Sequence, residues 1–433
     1  MKDDDIENPV ILPPEDGSLK RFMPEIRGKF SMKNTFAALK YSNYRLWFWG
    51  QMISLFGSWM QTTALAFFIF ELTKSPAYLG YVGFASGVPA WFFSFYGGVA
   101  ADRMSRKKIL LYTQSAMMLL AIFLAVLTFT NLILPWHLLV LAFLQGIAVA
   151  FDAPTRHALV NELVDKEELG NAIALNSTMF NTATAIGPAL GGITYAIFGP
   201  AWCFTINGIS FIAVIVNLMR MRLKPLVIPQ NTHSTLHQFV EGITYLKSRK
   251  EILAILSITT LVSVFGMGLV TLFPAWAVDI LHGNSTTNGF LQSARGLGAV
   301  IFALIIATIY KYIKRGKYLL MSALTLPVLI FIFSFNRSLI ISILLLVLIG
   351  GIIIMHFNLA NGMIQTIVDE QFRGRIMSFY TFTFFALFPI GSLWIGSIAE
   401  HFGSPAAIMI NSIILFICVV GIRLLYPKLL KIK

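Results

Sequence analysis

One acid and four bases crowd into Gly98-Val-Ala-Ala-Asp102-Arg103-Met-Ser-Arg106-Lys107-Lys108. A carboxylate at Asp102 can accept a charge-assisted hydrogen bond from Arg106 or cap a neighbouring helix, and either contact can be made and broken repeatedly. That is the chemistry of a latch, not of bond-making. Asp152 and Arg156, one helical turn apart, are of the same kind and are the expected partners. Asp102, Arg103, Arg106, Asp152 and Arg156 therefore read as one cluster that is remade once per cycle. The other reading, that these charges only solvate a loop and fix topology, is the one adopted for Lys107 and Lys108.

Further polar side chains stand where apolar ones are the rule. In the run 46–70, Gln51, Ser54, Ser58, Gln61 and Thr62 share one helical face, as do Ser177, Asn181 and Thr184 in 171–197. Such stripes are costly against lipid and belong on a wet cavity or in hydrogen bonds between helices. Arg295 lies deep in an apolar run; either it attracts an anionic substrate group or it snorkels outward to Asp279 or Glu400. His356 is either a proton carrier or a packed polar residue. No Asp or Glu is placed in the interior of a run, so Asp102, Asp152 and Glu400 count as end positions. No Ser/His/Asp set, clustered metal ligands or phosphate-cradling loop stands at one depth, so neither an enzyme, a cofactor nor a metal is expected. Cys203 and Cys418 both fall in apolar runs, which excludes a disulfide framework. His233, His237 and Glu241 follow helical spacing, but three open ligands without a supporting shell read as a solvated face.

The elements that must position these residues follow from composition. The chain has 433 residues, 57% hydrophobic and 12% charged, against about 25% charged in soluble domains. Twelve runs suit spanning helices: 46–70, 78–100, 109–130, 136–151, 171–197 and 201–219, then 251–275, 289–310, 318–335, 339–360, 376–400 and 405–422. The fold class is thus an all-α membrane protein, with twelve transmembrane helices in two pseudo-symmetric six-helix bundles. A net charge of +13 would suit nucleic acid in a soluble protein, but 30 of the 33 Lys and Arg residues fall in the termini and in alternate loops. The charge therefore sets topology: both termini and the loop 220–250 lie in the cytoplasm, and nucleic acid is not a partner. Residues 1–45 mix acids, bases and prolines and read as a mostly disordered tail. Bundles follow at 46–219 and 251–426, with a short cytoplasmic tail at 427–433. The linker 220–250 carries Leu236, Phe239, Val240, Ile243 and Leu246 at helical spacing, as in a helix lying on the membrane surface. No cleaved signal peptide is expected; the first span serves as the targeting signal.

The chain also repeats itself. Gly80, Gly87, Arg106, Lys108 and Leu110 return as Gly289, Gly296, Arg315, Lys317 and Leu319, with Lys311 in place of Asp102. Val164, Asp165, Gly170, Gly187, Gly192, Phe198, Gly199 and Asn207 return as Val368, Asp369, Gly374, Gly391, Gly396, Phe402, Gly403 and Asn411. Two like-oriented halves imply a central cavity open alternately to either side, and the lost acid implies that the first half holds the regulated gate.

The segment Gly98 to Lys108 resembles the loop 2-3 signature of the major facilitator superfamily, with Ser105 at a usual glycine. Tyr41-Ser-Asn-Tyr-Arg-Leu-Trp, Glu71-Leu-Thr-Lys-Ser-Pro, Asn171-Ala-Ile-Ala-Leu-Asn-Ser and Phe372-Arg-Gly-Arg-Ile-Met-Ser resemble the subgroup of enterobactin exporters and macrolide efflux proteins. Gly187-Pro188 and Gly191-Gly192 resemble the exporter-type span 5 motif, whose small residues let two backbones approach closely. Ala142 stands where an arginine of the span 4 motif is usual, which leaves a proton relay there without its carrier. The resemblance implies export of an amphipathic small molecule, of drug or siderophore type, from a monomer in the bacterial inner membrane, with proton antiport. Rival readings are an uptake permease for a sugar or organic acid and a membrane sensor that has lost transport.

Overall fold

A computed structural model describes residues 36–223, 235–310 and 312–427, which contain helices and no strand. The first half comprises α1 (Ser42–Thr73), α2 (Pro76–Arg103), α3 (Arg106–Phe129), α4 (Pro135–Leu163), α5 (Leu169–Phe198) and α6 (Pro200–Arg220). A shorter α7 (Thr235–Ser248) leads to α8 (Lys250–Ile280), α9 (Ser285–Ile309), α10 (Arg315–Phe335) and α11 (Leu339–Ile367). Then come α12 (Arg373–Phe385) and α13 (Phe388–Leu425). Residues 1–35 and 428–433, most of the expected tails, lie outside the described residues.

Helix ends follow local chemistry. Ser75 and Asn284 cap α2 and α9 with their side-chain oxygens, and Pro76, Pro135 and Pro200 occupy first turns, where no amide donor is needed. Gly199 (φ 86°, ψ 172°) ends α5, and Gly403 (φ 81°, ψ 156°) breaks α13. This backbone region is essentially closed to residues with a Cβ. α8 is irregular, with wide π turns at Val262–Gly266 and Trp276–Ile280 around a tight 3-10 stretch, Met267–Leu272.

Among the described residues, nine helical stretches are long and apolar enough to cross a membrane. α2 and α5 have the length, 28 and 30 residues, but not the hydropathy. The reason is positional: both turn a glycine-rich face to the other half of the molecule. Two differences from the expected boundaries matter. α1 begins at Ser42, before residue 46, and Ala37–Lys40 form a 3-10 turn docked on the bundle. α4 runs on to Leu163, well past the end of the run 136–151, so Asp152 at that end lies inside a helix, 1% exposed.

The sequence echoes become contacts. A Cβ on Gly80 would stand 2.7 Å from the Ser392 carbonyl oxygen and 3.3 Å from the Gly396 Cα; on Gly289 it would stand 2.5 Å from the Pro188 oxygen and 3.1 Å from the Gly192 Cα. Gly289, Pro188 and Gly192 are the repeat positions of Gly80, Ser392 and Gly396 with the halves exchanged. Likewise Gly87 abuts Pro389 as Gly296 abuts Ala185, and Tyr41 donates to Asp165 (2.8 Å) as Tyr245 donates to Asp369 (3.1 Å). A shared two-fold relation produces such reciprocity. Within each half the interior is apolar: Trp47, Phe204 and Phe211 pack in the first, and Trp276 stacks on Phe333 at 4.6 Å in the second.

Candidate functional site

The junctions α2–α3, α4–α5, α6–α7, α9–α10 and α11–α12 gather most of the described basic residues at one end of the molecule, called here the basic end. There Arg106 pairs with Glu162 at 2.5 Å and donates to the carbonyls of Ala101 (3.1 Å) and Ala158 (3.2 Å), stitching α2 and α3 to α4. Asp102 and Arg103 are exposed, and no described contact joins either to another side chain. Asp152 forms a separate group: it accepts from Gln114 Nε2 (2.7 Å) and Thr113 Oγ1 (3.1 Å) and pairs with Arg156 at 3.1 Å. Lys107 donates to the carbonyls of Met219 and Met221 and so closes the end of α6. The five residues expected in one cluster thus do not meet in this conformation: Arg106 turns to Glu162, the partner that sequence reading missed, Asp152 pairs with Arg156, and Asp102 and Arg103 stand apart from both.

The second half repeats this framework with other chemistry. Arg315 faces Thr366 Oγ1 at 3.4 Å where Arg106 faces Glu162, and His356 meets Ser322 at 3.1 Å where Asp152 meets Thr113. His356 is fully buried, its second ring nitrogen 3.5 Å from Thr259 Oγ1. At these two positions an ion pair of the first half is replaced in the second by a hydrogen bond to a hydroxyl. The α7 helix is tied to this half through Glu241–Arg375 (2.5 Å), Arg249–Asp369 (3.0 Å) and a Tyr245–Phe372 stack at 4.3 Å. His233 and the side chain of His237 lie outside the described residues. The Asp369 hydrogen bond raises the Arg249 pKa, and the Asp165 bond does the same for the Tyr41 phenol.

At the opposite end the halves touch each other directly. Glu400 on α13 accepts from Ser75 Oγ at 2.6 Å and from the Ala77 amide at 3.0 Å, so a carboxylate of one half caps the α2 N-terminus of the other. Its repeat position is Ala196, so only one of the two seams carries this acid. Tyr195 donates to Glu71 beside it.

The seams do not run the length of the molecule. α2 and α13 stay together from Pro76 and Gly396 to Trp91, whose Nε1 donates to the Ala386 carbonyl at 2.5 Å; α5 and α9 do so from Gly192 and Ser285 to Thr184 and Gly296. The described hydrogen bonds and close glycine contacts between halves all lie on the side of this level away from the basic end. The two halves therefore diverge toward the basic end.

The candidate path residues divide accordingly. Gln61 accepts from Asn207 Nδ2 at 2.8 Å, and Gln51 and Ser54 are each 2% exposed, so these three are turned into the first half. Ser58, Thr62 and Asn181 retain exposure. Gly187 and Gly191 press on Trp59 and Met60 of α1, while Pro188 and Gly192 press on α9. The span 5 motif thus serves two neighbours at once. Asn288 Nδ2 reaches the Thr63 carbonyl of the other half at 3.4 Å. Arg295 forms none of the described ion pairs, and its Nε is buried without an acceptor.

Two crossing seams closed at one end and a divergence at the other are the geometry of a membrane carrier, and comparison with known proteins identifies which kind. The profile described as "transmembrane secretion effector" matches residues 33–431. The chain belongs to this family of major facilitator transporters. It is a transporter and not an enzyme. It is 24% identical to the staphyloferrin A transporter of Staphylococcus aureus (strain NCTC 8325 / PS 47), over 90% of this chain and 97% of that protein. Macrolide efflux protein A of Streptococcus pyogenes is 21% identical over 84% of this chain and 92% of that protein. The enterobactin exporter EntS of Shigella flexneri is 27% identical over 76% and 79%. Among solved structures, a bacterial homologue of the human lysosomal transporter Spinster aligns at TM-score 0.71 and 12% identity, covering 92% of this chain and 98% of that one. This likeness places the fold among multi-pass transporters.

Proposed function

We propose that this transporter exports an amphipathic small molecule, of the drug or siderophore type, across the bacterial inner membrane by alternating access. In this reading the helices form twelve spans in two six-helix bundles, α12 and the two parts of α13 giving the last pair. The basic end, with both termini, faces the cytoplasm. The single observation that carries the reading is the pair of reciprocal seams, closed at the end of Glu400 and parted at the basic end. The conformation is then the inward-facing one, ready to take substrate from the cytoplasm. Rotation of one half against the other would part the glycine seams and bring Asp102 toward the charged groups of the opposite lip, closing the inner mouth.

The names of the relatives support efflux, and proton antiport supplies the driving force in this reading. Of the acids, Asp152 is buried beside Arg156 and Glu400 holds the outer seam, so either carries charge at a point that moves. The test is accumulation of a labelled amphiphile, a fluorescent dye or macrolide, in cells with and without the protein. Export lowers accumulation in cells that make it; lower accumulation only in cells lacking it means uptake and refutes the reading.

A further inference from the structure

We infer that Arg295 forms the anion-binding subsite of the transport path, and that this transporter selects amphiphiles carrying a carboxylate. The inference deepens the export reading by naming a substrate class, and its binding test does not depend on the direction of transport.

On α9, Gly289, Ser293 and Gly296 lie along α5: the Ala189 amide donates to Ser293 Oγ at 2.9 Å, and the two glycines meet the Pro188 and Thr184 carbonyls. Asn288 and Gln292, buried at 0% and 5%, occupy the neighbouring face, where Asn288 reaches α1 of the other half. Arg295 continues that face at helical spacing, three residues past Gln292. It stands level with Gly296, the last close contact of the α5–α9 seam before the halves part. The Arg295 backbone thus stands where the seam ends, on the helix face that Asn288 and Gln292 share.

Its surroundings leave a charge to be answered. An arginine stays protonated in proteins and offers five donors in a planar fork. The described ion pairs all lie at the basic end, none includes Arg295, and its Nε is buried with no acceptor. The two carboxylates in reach by sequence are otherwise placed: Glu400 is engaged by Ser75 and Ala77, and Asp279 forms no described pair with Arg295. The polar neighbours along the helix are neutral amides. Arg295 is partly exposed while its Nε is buried; a half-buried cation without a counter-charge is costly, and a bound anion offsets that cost. A carboxylate matches the guanidinium fork with two parallel hydrogen bonds. Duplication argues in the same direction: the repeat position of Arg295 is Ser86, whose hydroxyl turns back to the Gly83 carbonyl at 3.0 Å. Helix packing is the same at both positions, since Gly350 abuts the Arg295 carbonyl as Gly146 abuts that of Ser86. The fold does not need an arginine there, and the charge serves something other than packing.

The experiment uses two dyes on one xanthene scaffold, carboxyfluorescein as the anion and rhodamine 6G as the cation. Binding to the purified full-length protein is read by fluorescence anisotropy, and efflux is read in proteoliposomes. The wild type binds the anion in preference to the cation. Arg295→Gln weakens anion binding by about tenfold or more, the scale of one charged hydrogen bond, and leaves rhodamine 6G binding equal or stronger. Arg295→Lys keeps part of the preference, and Ser86→Ala keeps all of it. Failure of the wild type to bind the anion, or an equal loss for both dyes in Arg295→Gln, overturns the inference. Selective anion binding without efflux leaves the subsite standing and overturns the export reading instead.

Discussion

Replacing Gly192 with alanine should shift this transporter away from the conformation described here. A Cβ at Gly192 would lie 2.4 Å from the Ser285 carbonyl oxygen and 3.1 Å from the Gly289 Cα, and both obstacles are backbone. The two helices must separate, at about 1–3 kcal/mol for overpacking of this size. That cost applies only while the α5–α9 seam is closed, because in the opposite state the seam has parted and the methyl group has room. The equilibrium therefore moves by about 5- to 150-fold toward the outward-open state. A protein resting at about 99:1 would reach about even populations at the upper limit. Spin labels at Met104→Cys and Tyr312→Cys, both on exposed positions of the basic end and in different halves, report the opening as a distance distribution after Cys203 and Cys418 are replaced by serine. Gly192→Ala should add or enlarge a short-distance population. Gly98→Ala, whose Cβ would meet nothing within 4 Å, serves as the control and should leave the distribution unchanged. An unchanged distribution in Gly192→Ala, or a longer distance, would refute the reasoning.

Other outcomes follow from the same contacts. Glu400→Ala removes the acceptor for Ser75 and the Ala77 amide and should move the same spin-label distances in the same direction; no change would mean that the glycines alone hold the seam. Arg156→Ala leaves the Asp152 charge buried with only neutral donors and should cost about 3 kcal/mol of stability, seen as earlier thermal unfolding in detergent. Adding Asp152→Asn should recover most of that loss, and a further loss would contradict the ion-pair account. Tyr245→Phe loses the donor to Asp369 and should weaken the hold of α7 on the second half by about 1 kcal/mol, read as faster amide exchange in α7 alone. Asp102→Ala should abolish efflux while the protein remains in the membrane at wild-type levels; undiminished efflux would remove Asp102 from the gate.

Much of this architecture is legible in the chain because duplication leaves marks that hydropathy does not. The glycines at 80, 192, 289 and 396 stand out in the sequence as echoes, and in space they meet one another in pairs. What could not be read was which partner a polar residue chooses. Glu162 is 56 residues from Arg106 and Glu400 is 323 from Ala77, so no local spacing announces either contact. A usable signal did exist: Glu162 repeats as Thr366 and Asp152 as His356, and substitution at a framework position marks where the halves differ in charge. The α1 stripe shows the opposite problem. Period alone places Gln51, Ser54 and Gln61 on one face, but a wet cavity and a neighbouring helix with Asn207 offer that face the same hydrogen bonds. Only the packing of Gly50 and Gly57 against α6 distinguishes them. The apolar run of α4 also ends before its helix does, for α4 continues for eleven residues beyond Asp152.

In the proposed cycle the two halves must part at the Glu400 end for substrate to leave. Ser75→Cys with Glu400→Cys, in a background without Cys203 and Cys418, puts one thiol on each side of the contact where the hydroxyl and carboxylate now meet at 2.6 Å. A short bis-methanethiosulfonate linker should join them and stop dye efflux, and reduction should restore it. Efflux that continues at its full rate through the joined protein would contradict alternating access about this seam.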